Sequence, residues 1–195
     1  MKSHTTRALA TTFLLIQAAW LTAAEVSFQK FHQEPKTPEE DPQDFIRICI
    51  NKEFFQCASL SEWGLLANYG SWDFAAVAPG GKSGVIGVRV ERCVDKENKA
   101  YPNLTKELVE TEFKKLTASW GRCEGRPPEL KEPGSSLTME LTRIDGNQVQ
   151  KCRYHLELRG DQLWTFGCEA APTSFETVFK GFSVLLGTFS KLTAL

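Results

Sequence analysis

The stretch LTMELTRIDGNQVQKCRYHLELRGDQLWTFGCE, residues 137–169, decides the fold class of this 195-residue chain. Apolar and polar residues alternate along it with the period of two that is typical of half-buried strands. Asp145-Gly146 and Gly160-Asp161 interrupt the alternation, and such pairs favour tight hairpin turns. The stretch therefore predicts a three-stranded antiparallel meander with strands at residues 137–144, 149–158 and 163–169.

The loop lengths predict which residues lie opposite each other across this meander. A two-residue first turn keeps the apolar residues of the first two strands on one face. A three-residue loop at 159–161 then places Cys152 opposite Cys168, whereas a register shifted by two residues leaves these cysteines diagonal. We predict the first of these registers, and with it a disulfide between Cys152 and Cys168.

The rest of the chain supplies two more strands and two amphipathic helices. Strands are expected at residues 72–77 and 85–90 because β-branched and aromatic residues concentrate there. Helices are expected from about Leu104 to Trp120 and from about Ser174 to Ser190, where apolar residues recur at helical spacing. The predicted fold class is therefore α+β, an antiparallel sheet whose apolar face is covered by both helices.

The first residues have the layout of a cleavable secretory signal peptide. Lys2 and Arg7 precede an apolar run at 8–21, and small residues follow up to Ala24. The run is shorter than a membrane span requires, so no span is expected once residues 1–24 are removed. Residues 25–44 are rich in proline and acidic groups and predict a flexible lead-in, and residues 45–195 predict one domain. The protein is expected to be secreted or periplasmic.

Six cysteines follow the predicted signal peptide. In an oxidising compartment an even number favours disulfides. Beyond the predicted Cys152–Cys168 pair, the sequence does not choose a pairing for Cys49, Cys57, Cys93 and Cys123. Their spacing does not match a zinc site, so neither a metal nor a cofactor is predicted.

Composition and motifs exclude several classes of function. The formal net charge of −1 provides no basic excess for a phosphate backbone, so nucleic acid is not expected as a partner. No nucleophile elbow of the GxSxG type occurs. One enzymatic interpretation stays open, a hydrolase in which His155 acts as a base oriented by Glu157.

A mixed-charge face of the sheet is the more informative feature. The polar positions of the meander alternate with its apolar positions and so share one face. Arg89 and Glu91 extend that face if their strand joins the same sheet. We expect this face to be either bare to solvent or a docking surface for another protein. The residues expected to form it are Arg89, Glu91, Lys151, Arg153, His155 and Glu157.

The order of elements resembles the Mog1/PsbP-like fold, including exported bacterial relatives of the DcrB type. Residues 53–63 are similar to the opening strand and proline–Trp loop of that family, although this chain has no proline there. The closing helix, with Gly181-Phe182, is also similar. The resemblance covers residues 53–190. It implies a protein-binding or accessory role, because the family shares no common enzymatic activity.

These observations lead to three hypotheses of function. The first is an exported, non-enzymatic binding or accessory domain stabilised by disulfides, with another protein as its partner. The second is an inhibitor or immunity-type protein that blocks a secreted enzyme through the mixed-charge face or through the loop at 125–128. The third is the hydrolase that uses His155 and Glu157.

Overall fold

The computed structural model describes residues 25–33, 43–50, 52–58, 63–79, 84–130 and 132–191. The predicted signal peptide and residues 34–42 of the predicted lead-in lie outside these ranges, as do residues 59–62 of the loop that resembles the proline–Trp loop. The first six strands are β1 (Val26–Gln33), β2 (Gln43–Ile50), β3 (Glu53–Ala58), β4 (Gly64–Tyr69), β5 (Trp72–Val77) and β6 (Gly84–Arg92). The remaining elements are α1 (Lys106–Thr117), β7 (Arg122–Glu124), β8 (Ser136–Asp145), β9 (Gln148–Arg159), β10 (Gln162–Ala170), α2 (Phe175–Thr188) and β11 (Ser190–Lys191).

The strands form two antiparallel sheets. The larger sheet has seven strands in the order β4-β5-β6-β10-β9-β8-β7, and the smaller has four in the order β1-β2-β3-β11. The strands β8, β9 and β10 are the predicted meander, and both predicted helices are present. The predicted α+β class with an antiparallel sheet and two helices is confirmed.

The central strands of the seven-stranded sheet are buried on both faces, and one helix packs on each face. The α1-side core consists of α1 residues packed on one face of the sheet, and its main members are Trp72, Val109, Leu116, Met139, Leu141, Cys152, Tyr154, Leu156 and Leu163. The α2-side core joins α2 and the smaller sheet to the other face, and its main members are Ile46, Ile48, Ile50, Phe74, Ile86, Val88, Trp164, Phe166, Cys168, Val178 and Phe182. The expectation that both helices cover the same face is therefore wrong.

The strand β10 explains this difference. Its residues from Leu163 to Cys168 are all buried, because alternate side chains enter the two cores. A strand that is buried on both faces has no polar side, so its alternation does not say which face carries the helix.

The first hairpin of the meander has the predicted faces but a different register. Asp145 pairs with Gln148, so the turn is centred on Gly146-Asn147, and Gly146 has a φ of 59°. Glycine adopts positive φ without steric cost, and a glycine at the first central position suits a two-residue hairpin. Leu141 consequently lies opposite Cys152. The predicted turn at Asp145-Gly146 would place Leu141 opposite Gln150 instead. The cross-strand partner therefore moves by two residues, and every side chain keeps its face.

The second hairpin does not have the predicted three-residue loop. Arg159 pairs with Gln162 across a two-residue turn, and Gly160 adopts a φ of 61°. Cys168 therefore lies opposite Arg153, and Cys152 lies opposite Glu169. The predicted register is wrong because it assumed that the aromatic residues of β10 face the apolar side of β9, whereas they face α2.

This register also removes the predicted disulfide between Cys152 and Cys168. The two side chains belong to cores on opposite faces of the sheet, so the strands separate their sulfur atoms. The thiols of Cys152 and Cys168 are free, and burial raises the pKa of each to about 12. Free thiols are also found at three of the cysteines for which the sequence chose no pairing, Cys49, Cys93 and Cys123.

Part of the predicted flexible lead-in is a strand. Residues 26–33 form β1, which pairs antiparallel with the whole of β2. Phe31 stacks on Phe45 across the two strands with a centroid separation of 5.5 Å. The composition suggested flexibility because prolines and acidic groups dominate it, but the apolar residues before Pro35 suffice for one edge strand. The smaller sheet therefore crosses the boundary that was expected at residue 45.

Trp72 lies flat on the backbone of the sheet. A Cβ at either Gly87 or Gly167 would collide with its indole, so these two glycines make room for the ring. The ring also stacks near Tyr154 at a centroid distance of 6.2 Å. Trp72 thereby fixes the β4–β5 hairpin against the centre of the α1-side core.

We predict that Gly167→Ala lowers the free energy of unfolding by about 1–3 kcal/mol, because the added methyl group displaces the Trp72 ring. Urea denaturation followed by tryptophan fluorescence measures this loss. The control is Gly187→Ala in α2, where a Cβ has open space and alanine is expected to leave stability unchanged or raise it by up to about 1 kcal/mol. Equal stability of both variants would contradict the position of Trp72.

We predict that Cys152 and Cys168 stay unmodified by iodoacetamide in the native protein and react after denaturation. Burial keeps the reagent away from the thiol, and by raising the pKa it also disfavours the reactive thiolate form. Peptide mapping under non-reducing conditions is expected to find no link between them. A native Cys152–Cys168 cross-link would show that the register of β10 is wrong.

Candidate functional site

Four of the six residues predicted for the mixed-charge face lie together on the α2 side of β9. Cationic side chains of this strand stack over two phenylalanines of α2 and over a third phenylalanine that directly follows α2. The Arg153 guanidinium carbon lies 4.1 Å from the centroid of the Phe179 ring. Lys151 and Arg159 make similar contacts with Phe175 and Phe189, at 5.8 and 4.3 Å. The strand face is therefore flanked by α2 rather than bare to solvent.

Ion pairs hold the charged groups of this face in fixed positions. Arg153 pairs with Glu140 on the neighbouring strand β8. Arg159 donates two hydrogen bonds to the Glu157 carboxylate, at 2.9 and 3.2 Å. Because stacking and pairing act on the same cations, these side chains are already ordered before any partner binds. We call the face formed by Thr138, Glu140, Lys151, Arg153, His155 and Glu157 the α2-side surface.

His155 lies in the middle of the α2-side surface. Its Nδ1 is 3.0 Å from the Thr138 hydroxyl, and its Nε2 is 3.9 Å from a Glu157 carboxylate oxygen. Burial lowers the pKa of His155, and the nearby Glu157 offsets this only in part. The imidazole is therefore neutral at pH 7 and shares a hydrogen bond with Thr138.

The arrangement around His155 does not favour a hydrolase. Glu157 is beyond hydrogen-bond distance from the imidazole, and Arg159 occupies both of its oxygens. The backbone of Thr138 and of its neighbours belongs to the paired strands β8 and β9. Successive N–H groups of an extended strand point to opposite sides and do not converge on one point as an oxyanion hole requires.

Arg89 and Glu91 do not join the other four residues. The strand β6 is in the same sheet, but Arg89 lies opposite Thr165 of β10 and points to the α1 side. Arg89 pairs there with Glu112 of α1, whose side chain is only 1% exposed, and Thr165 donates a 2.8 Å hydrogen bond to the same carboxylate. Lys115 connects Glu91 to this network. Arg89 therefore anchors α1 to the sheet.

Sequence reasoning missed a cavity on the α1 side. It has a volume of about 510 Å³ and lies between the end of α1, the β4–β5 turn and the neighbouring ends of β8, β9 and β10. We call it the Trp120 cavity, and its main lining residues are Tyr69, Trp72, Lys115, Trp120, Arg143 and Glu169.

Glu169 is the unusual group of the Trp120 cavity. The Tyr154 hydroxyl donates a 3.0 Å hydrogen bond to its carboxylate. Burial raises the pKa of Glu169, and the hydrogen bond from Tyr154 and the charge of Arg143 offset part of the increase. A carboxylate inside the otherwise apolar segment LWTFGCEA was the sequence signal that could have identified this position.

Among the residues that the structure describes, no helix is long and apolar enough to cross a membrane. Within the same ranges, no cluster of three or more His, Cys, Asp or Glu side chains could hold a metal ion.

Comparison with solved structures identifies the fold. The crystal structure of LpqN, involved in cell envelope biogenesis of Mycobacterium tuberculosis, matches with a TM-score of 0.51 at 7% identity, covering 85% of this chain and 92% of that chain. The chain has a PsbP/Mog1-like fold. The solution structure of cyanobacterial PsbP (CyanoP) from Synechocystis sp. PCC 6803 matches with a TM-score of 0.48 at 12% identity, covering 85% of this chain and 93% of that chain.

The resemblance expected from the order of elements is thus confirmed at the level of the PsbP/Mog1-like fold. No family model and no curated protein matches the sequence. At these identities the comparison shows the fold alone, so the function has to be argued from the side chains.

We predict that Arg89→Met lowers the free energy of unfolding by about 3–5 kcal/mol, because it leaves the buried Glu112 carboxylate without its main partner. Thermal or urea denaturation measures the change. The control is Lys99→Met, which breaks a pair whose side chains are each 72% exposed and is expected to cost less than about 1 kcal/mol. A small effect of Arg89→Met would contradict the anchoring role of Arg89 and make it again a candidate for binding a partner at the surface.

Proposed function

We propose that this protein is a non-catalytic binding or accessory domain that acts in an exported compartment and docks another protein on its α2-side surface. The observation that carries this proposal is the stacking of Arg153 on Phe179 at 4.1 Å. An arginine fixed on an aromatic ring and still 28% exposed combines contact area with a directed charge. Arginine is enriched among the residues that dominate protein interfaces.

The side chains of the α2-side surface are held in place before a partner arrives, and this favours binding. Association normally costs the rotational freedom of each long side chain that becomes immobilised. Here Arg153 is held by both Phe179 and Glu140, so part of that cost is already met in the free protein. The exposed Glu140 and Lys151 add both signs of charge, which favours one orientation of a partner with the complementary pattern.

The position of the first strand supports export. The predicted cleavage site precedes Glu25, and β1 begins at Val26. Removal of residues 1–24 would therefore leave all the strands and helices described above intact. A role in an exported compartment also agrees with LpqN, a structural neighbour that is involved in cell envelope biogenesis. N-terminal sequencing of the protein from its native compartment tests the cleavage site.

The loop at 125–128, one of the two routes of the inhibitor hypothesis, receives less support from the same geometry. An inhibitory loop has to project into the active site of its target. Pro127 and Pro128 are instead half-buried and face α1 across a shallow groove, and Leu130 packs on the α1-side core. We therefore place the partner on the α2-side surface.

We predict that Arg153→Glu reduces recovery of the partner at least about tenfold, a loss of roughly 1.4 kcal/mol of binding free energy. The substitution removes the stacked cation and places a second carboxylate beside that of Glu140. A photo-crosslinker at position 138, used in the native compartment, identifies the partner. The same crosslinker combined with Arg153→Glu measures the loss of recovery.

The control for this experiment is Arg122→Glu in β7, which reverses an arginine that is 68% exposed and also pairs with a glutamate. It is expected to leave recovery unchanged. Lys151→Glu provides a second test on the α2-side surface, because Lys151 is exposed. If neither Arg153→Glu nor Lys151→Glu reduces recovery while both variants keep the wild-type melting temperature, the proposed surface is wrong.

A further inference from the structure

We propose that the Trp120 cavity is a binding site for an organic ammonium cation, with Glu169 as its counter-ion and Tyr69 and Trp120 as its aromatic walls. The site is separate from the α2-side surface, because the two lie on opposite faces of the seven-stranded sheet. The volume of about 510 Å³ lies within the range of roughly 300–1,000 Å³ that is usual for small-molecule sites.

The charges that line the cavity leave one negative group without a cationic partner. Lys115 forms an ion pair with Glu91, and Arg143 forms one with Asp145. For Glu169, by contrast, no cationic group of the described residues lies within the 4.0 Å of an ion pair, and its polar contact is the Tyr154 hydroxyl. Arg143 acts on Glu169 only beyond ion-pair distance, so the carboxylate has room for a directly paired cation, which a ligand would supply.

The aromatic walls suit the same ligand. The face of an indole or phenol ring attracts a cation, and the attraction is strongest where water is excluded. Trp120 already accepts the guanidinium of Arg143 at 5.7 Å from its ring centroid, which shows that the environment of this ring tolerates positive charge. Tyr69 is 47% exposed at the mouth of the cavity and can cover a ligand from the solvent side.

The parts of the site are held by the packed core and need no rearrangement to form. Tyr154 is fully buried and fixes one oxygen of Glu169 by its 3.0 Å hydrogen bond. Trp72 rests on Gly87 and Gly167 and carries the β4–β5 turn that forms one wall. A rigid carboxylate beside rigid aromatic rings binds a cation at a lower entropic cost than flexible groups would.

The experiment uses three probes of nearly equal shape that differ in charge. Choline is the cation, 3,3-dimethylbutan-1-ol is its neutral counterpart, and 3,3-dimethylbutanoate is the anion. Each is titrated into the purified protein while the indole N–H signals of Trp72 and Trp120 are followed by NMR. We expect choline to shift these signals and to bind at least about tenfold more tightly than either of the other probes.

Variants test the role of Glu169. Glu169→Gln keeps the size of the side chain and its hydrogen bond from Tyr154, and it is expected to weaken choline binding about tenfold without affecting the neutral probe. The matched control is Glu110→Gln, which removes a half-buried carboxylate of α1 outside the lining of this cavity and should leave choline binding unchanged. Arg153→Glu should also leave it unchanged, which separates this proposal from the proposed docking surface.

Three results would overturn the proposal. Equal binding of choline and the neutral probe would mean that the cavity recognises only shape. Tighter binding of the anion would mean that Lys115 and Arg143 dominate the field of the cavity. Absence of any shift of the Trp72 and Trp120 signals with choline, in a protein whose folded spectrum is intact, would mean that the cavity does not bind this class of cation.

Discussion

The burial of β10 on both faces is the constraint on which the rest of the structure depends. Its alternate side chains enter two separate cores, so each core needs its own cover. The helix α1 covers one face, and α2 together with the smaller sheet covers the other. The strand also pairs with both β6 and β9 and thereby joins the two halves of the larger sheet. The positions of both candidate sites follow from this arrangement.

The local pattern was sufficient to predict the elements of the fold. The alternation in β8 and β9 predicted both strands, and the apolar period in α1 and α2 predicted both helices within a few residues. Asp145-Gly146 correctly marked a hairpin, although the turn moved by one residue because Gly146 takes the position that needs positive φ. A shift of this size preserves the faces, so the error did not propagate beyond the register.

What could not be predicted depends on contacts that are distant in the sequence. The prediction of a Cys152–Cys168 disulfide assumed that β10 has one apolar side. The smaller sheet, which helps to bury the other side, is formed by residues before position 59 and after position 189. The same assumption grouped Arg89 with Arg153, whereas the sheet separates them. Four residues of the α2-side surface were nevertheless identified, because alternation along the single strand β9 is a local property. The Trp120 cavity was not, because its lining residues come from the end of α1, the β4–β5 hairpin and the strands β6, β8, β9 and β10, which are distant in the sequence.

The pairing of β6 with β10 has a consequence for the order in which the chain closes. The hairpins β4–β5, β8–β9 and β9–β10 join neighbouring segments, but β6–β10 joins Gly84–Arg92 to Gln162–Ala170, with α1, β7, β8 and β9 between them. Long-range pairs of this kind form late because they close a large loop. Cys168 lies on β10 inside the α2-side core, so its thiol is shielded from solvent only after this late pairing has closed the core.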